Sequence, residues 1–77
     1  MSDNLHSSYQ PIQYTGKLFC TVLEAVQVTG ASSYSIRHGV RSGKIPHIRS
    51  GNKYLINMKL FLELLDEISQ TGGSIDE

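Results

Sequence analysis

The sequence predicts a small α+β domain with three helices and one two-stranded β-hairpin between the second helix and the third. Three observations predict it. Two short helical patterns follow one another across a tight glycine turn. A proline, and then a Ser-Gly-Asn cluster between apolar runs, breaks the helical period. A strongly amphipathic run closes the folded unit.

The first helix begins at Thr21. Thr21-Val22-Leu23-Glu24 is a capping box: the threonine hydroxyl accepts from the third helical N–H, and the glutamate reaches back to the threonine N–H. Val22, Ala25 and Val26 supply an apolar face, and Gly30 stops the helix. Ser32 caps a second helix, about 33–42, which Gly43 ends. Two short helices joined this way form the helix-turn-helix pattern. Pro46 prevents the helix from resuming. Ile48-Arg49 and Lys53–Ile56 then flank Ser50-Gly51-Asn52, a hairpin with turn chemistry at its apex. Asn57 caps the third helix, about 58–69. At about 100° per residue, Met58, Phe61, Leu62, Leu64, Leu65 and Ile68 share one arc, opposite Lys59, Glu63, Asp66 and Glu67. That is a core-packing helix. Together these elements predict a winged helix-turn-helix, three helices with a two-stranded hairpin wing.

Residues 1–17 carry no sustained period and read as a flexible arm, with a short strand near Ile12 to Tyr14. Residues 18–70 form the folded unit, and 71–77, TGGSIDE, read as a frayed, disordered tail. With 77 residues there is one domain, burying only about 60% of its unfolded surface. The lone Cys20 excludes an internal disulfide, and it reads as a small apolar residue rather than a reactive thiol. The polar start MSDNLHSS is not a signal peptide, and no apolar run approaches the ~20 residues that span a bilayer. A soluble, cytoplasmic protein without a membrane partner is expected.

Enzyme classes find no support. His6, His38 and His47 lack metal-ligand spacing, Cys20 has no CxxC partner, and no phosphate loop, nucleophile elbow or paired-carboxylate constellation is present. No catalytic residue, metal or cofactor is expected.

Charge is more informative. The chain is neutral overall, yet from Ala25 to Leu62 it holds six cations and no acid: Arg37, Arg41, Lys44, Arg49, Lys53 and Lys59. On the second helix, Ile36 and Val40 face the core, so Tyr34, Arg37, His38 and Arg41 form an outward strip. Arginine can bond guanine O6 and N7 in a fork, while tyrosine and histidine reach phosphates or bases. Arg49, Ser50, Asn52 and Lys53 give the hairpin a polar, cationic tip suited to a minor groove or to phosphates. Lys44 adds a cation just past the strip. Tyr54 is free either to pack or to touch the nucleic-acid backbone. Gly39, inside the second helix, costs roughly 1 kcal/mol against alanine, which points to another backbone close by, that of the first helix or of the hairpin.

The run Thr21 to Gly30, Ala31-Ser32, Ile36, and Arg41-Ser42-Gly43-Lys44-Ile45-Pro46 resembles the excisionase-type helix-turn-helix, a relative of the MerR-like winged domains. The stretch IPHIRSGNKYLINM resembles the wing of small excisionase-like proteins of mobile genetic elements. The likeness covers roughly residues 18–68. It implies that Ser32, Ser33, Tyr34, Arg37, His38 and Arg41 meet the major groove and that Arg49 to Lys53 make the wing contacts. It implies double-stranded DNA as the partner, bound and bent beside attachment sites to steer an integrase or recombinase towards excision. Cooperative self-association on DNA would offset the neutral overall charge. A transcriptional regulator with the same contacts is the alternative, ahead of a protein-interaction module that has kept the scaffold without binding DNA.

Overall fold

In the computed structural model, which describes residues 14–76, the order is β1 (Phe19–Cys20), α1 (Val22–Thr29), α2 (Ser33–Arg41), β2 (His47–Ser50), β3 (Lys53–Asn57) and α3 (Met58–Thr71). Three helices pack with one antiparallel sheet of order β1-β3-β2. This is a small α+β fold.

Local signals set the helix ends. Thr21 and Glu24 close the capping box on α1, with Glu24 N–H to Thr21 Oγ1 at 3.2 Å and Thr21 N–H to Glu24 Oε1 at 2.9 Å. Gly30 ends the helix at φ 79°, a left-handed conformation that glycine adopts without a Cβ penalty. Ser32 caps α2 by accepting from Ser35 N–H at 3.0 Å, and Asn57 caps α3 by accepting from Leu60 N–H at 3.2 Å. In the β2–β3 hairpin Ser50 pairs with Lys53, leaving a two-residue loop. Gly51, first in that loop, has φ 60°, and no described residue other than glycine has positive φ. Glycine first is the pattern of a type II′ turn, whose twist matches the strands it joins.

The sheet has one strand more than the sequence predicts. Phe19 and Cys20 pair with Asn57 and Ile56, so β3 lies between β1 and β2. A strand of two residues shows no alternation, and its partner lies far along the chain. The strand expected near Ile12 to Tyr14 falls largely outside the described residues; Tyr14 itself is in no strand, although it packs against the core.

The core gathers Cys20, Val22, Ala25, Ile36, Val40, Ile45, Ile56, Met58, Phe61 and Ile75. Phe61 is its largest wholly buried side chain, a burial that contributes about 1.5–3 kcal/mol. The predicted apolar arc of α3 is buried unevenly. Met58 and Phe61 are fully enclosed, whereas Leu62, Leu64, Leu65 and Ile68 are half-buried. Cys20 is buried, as a small apolar residue would be.

Beyond α3 the expectation of a frayed tail fails. Gly72 turns the chain at φ 71°, with its N–H on Ile68 O, and Gly73 N–H also donates to Ile68 O at 3.0 Å. The strap that follows lies back over α2 and buries Ile75 in the core. Gly39 is where it passes: a Cβ there would stand 2.7 Å from the Ile75 carbonyl oxygen and 2.5 Å from Ile45 Cδ1. The close backbone is therefore the C-terminal strap, neither α1 nor the hairpin. One apolar residue in a polar tail has no period to reveal it. Among the described residues no helix is long and apolar enough to cross a membrane.

Candidate nucleic-acid interface

Burial of Ile36, Gly39 and Val40 fixes the roll of α2 and turns Tyr34, Arg37, His38 and Arg41 outward. Tyr34 is 71% exposed, far beyond what a packed tyrosine shows. Its ring lies 5.9 Å from that of His38. These four side chains and Ser33 line a shallow groove of about 200 Å³ along the helix. Ser32 is engaged differently. Its hydroxyl caps α2 and donates to Ser35 Oγ at 3.0 Å, so its first role is to start the helix.

The hairpin presents Arg49, Ser50, Asn52 and Lys53 to solvent. Opposite Arg49 on the neighbouring strand stands Tyr54, and the Arg49 guanidinium lies over its ring, 5.3 Å from the centroid. Tyr54 meets His47 edge-on at 5.5 Å, and His47 Nδ1–H donates to Ile45 O at 2.7 Å. Tyr54 thus packs, and in packing it orients a cation.

A second cleft, about 420 Å³, lies between the start of α1 and the hairpin loop and is lined by Thr21, Val22, Leu23, Arg37, Asn52, Lys53 and Tyr54. Arg37 belongs to both clefts. It joins the α2 groove to the hairpin loop, so cations from separate parts of the chain border one surface.

These cations keep their charge available. Lys17 pairs with Glu24 at 2.6 Å, and among the described residues no carboxylate comes within 4.0 Å of Arg37, Arg41, Arg49 or Lys53. The hydrogen bond from Lys17, then the Thr21 N–H, holds the Glu24 carboxyl below its ordinary range. That carboxylate is already matched by its own lysine. The acids of α3 are likewise unpaired with the α2 arginines.

Two features depart from the sequence reading. Lys44, expected to extend the cation group, is half-buried and its ammonium donates to the Ser74 carbonyl; the strap has claimed it. Asp76, expected in a frayed end, accepts from Ser35 Oγ at 3.3 Å and from Ser74 Oγ, at the first turn of α2. The signals that could have revealed the strap were Gly39 inside a helix and the isolated Ile75. Among the described residues no group of three His, Cys, Asp or Glu side chains could hold a metal ion. Comparison with known proteins finds no matching family model, no similar curated protein and no similar solved structure.

Proposed function

We propose that this chain is a non-catalytic double-stranded DNA-binding domain of the winged helix-turn-helix kind. In this reading α2 is the recognition helix and the β2–β3 hairpin the wing. The observation that carries it is Arg37, shared by the α2 groove and the hairpin cleft, with Arg41, Arg49 and Lys53 nearby and, among the described residues, no carboxylate paired with any of them. A duplex needs such a surface: a helix face able to enter the major groove, and a cationic loop to hold the adjacent backbone. Arg41, Tyr34 and His38 read base edges, Arg37 stands where the two surfaces meet, and Arg49 and Lys53 hold phosphates.

On the resemblance of residues 18–68 to excisionases, the proposed role is that of an architectural protein that bends DNA beside attachment sites and directs an integrase towards excision, with a transcriptional regulator using the same contacts as the alternative. Tyr54 under Arg49 supports the phosphate contact of the hairpin, because a stacked guanidinium is already oriented when the backbone arrives.

Fluorescence anisotropy of a labelled duplex, titrated at several salt concentrations, tests the proposal. About four to six phosphate contacts give a slope of log affinity on log salt near −4 to −5. A flat salt response would remove the reading.

A further inference from the structure

The cation band of α2 has two different borders. At about 100° per residue, its side chains sweep about 100°, from Arg37 through Arg41 and Tyr34 to His38. Beyond Arg37 lies the hairpin, with Lys53 lining the shared cleft. Ser35 comes about 60° beyond His38, and there the chain has placed a carboxylate. Asp76 is anchored by the Ser35 hydroxyl at 3.3 Å, across 41 residues of sequence, and by the Ser74 hydroxyl. The Lys44 bond to Ser74 O and the burial of Ile75 beside Gly39 fasten the two residues that lead into the anchor.

We propose that the strap is a built-in brake on nucleic-acid binding: it fixes the Asp76 carboxylate at the first turn of α2, on the edge of the cation band away from the hairpin, where it repels a DNA phosphate. The inference rests on the DNA-binding reading and adds to it a regulatory element and a direction. Phosphates are accepted on the hairpin edge and refused on the strap edge. Hydrogen bonds from Ser74 first, together with the Ser35 hydroxyl and the nearby His38, hold the Asp76 carboxyl below its ordinary range, so the charge persists at neutral pH. A partner or modification that lifts the strap would release affinity without altering any base-reading side chain.

The brake is tested on the full chain by duplex anisotropy at low and high salt, comparing wild type with Asp76→Asn, Asp76→Glu and Lys53→Ala. Asparagine keeps the acceptor and loses the charge; glutamate keeps the charge. The expected result is that Asp76→Asn binds about threefold to tenfold tighter at low salt, and Asp76→Glu binds as wild type does. The gain shrinks as salt rises and the screening length falls below about 10 Å. Thermal melts verify that each variant folds. If Asp76→Asn is unchanged or weaker while Lys53→Ala loses affinity, the brake is overturned and DNA binding stands. If only Asp76→Asn binds, the brake is stronger than proposed and is upheld. If neither wild type nor Asp76→Asn binds any duplex, the DNA reading falls and takes the brake with it.

Discussion

α2 and α3 are both amphipathic helices capped by a polar side chain, yet they divide the work of the molecule. α3 runs for 14 residues, seals Met58 and Phe61 into the core and carries Glu63, Asp66 and Glu67 on its outer side. α2 runs for nine, buries only Ile36, Gly39 and Val40, and gives the rest of its surface to Tyr34, Arg37, His38 and Arg41. The acids gather on the helix that stabilises; the cations gather on the helix that is proposed to bind. A neutral protein can thereby present one positive side. Global charge averages two helices whose surfaces have opposite signs.

Three substitutions would sharpen or break this division. Phe61→Ala empties the centre of the core and should cost about 3–5 kcal/mol, read by urea unfolding. In a domain of this size that is a large share of total stability, so a loss below about 1 kcal/mol would mean α3 is less central than its burial implies. Gly39→Ala comes next. Alanine gains about 1 kcal/mol of helix propensity, but its methyl group meets the Ile75 carbonyl and Ile45, an overpacking that costs about 1–3 kcal/mol. A net loss of about 1 kcal/mol is expected, with the Ile75 and Asp76 amide resonances displaced in an HSQC spectrum. A gain in stability with an undisturbed strap would refute the close approach. Arg41→Ala is the smallest for folding: it should move stability by under about 0.5 kcal/mol while lowering duplex affinity about tenfold. Equal damage to both would erase the distinction between the helices.

Much of this was legible in the sequence, because caps and turns are written locally. Thr21 with Glu24, Ser32, Asn57 and Gly30 mark helix ends by hydrogen bonds within a few residues, and Gly51 marks the hairpin loop. The outward strip followed from the burial of Ile36 and Val40 at helical spacing. What escaped were contacts between distant segments. Cys20 pairs with Ile56, Ile75 reaches Gly39, and Lys44 is drawn to Ser74. None of these partners leaves a periodic trace, since one residue or two on a short segment make no pattern. Gly39 did signal a neighbour; only the fold could say which one.

The docking of β1 on β3 and of the strap on α2 also bears on how the molecule assembles. β1 needs β3, and the strap needs α2, so each completes a loop spanning about half the polypeptide. The entropy of drawing such distant segments together is lost before the contacts compensate for it, which slows folding relative to a bundle of local helices. The helical hairpin and the β-turn can form early from neighbouring residues, whereas the β1 edge must wait for β3 and the Asp76 anchor for the strap.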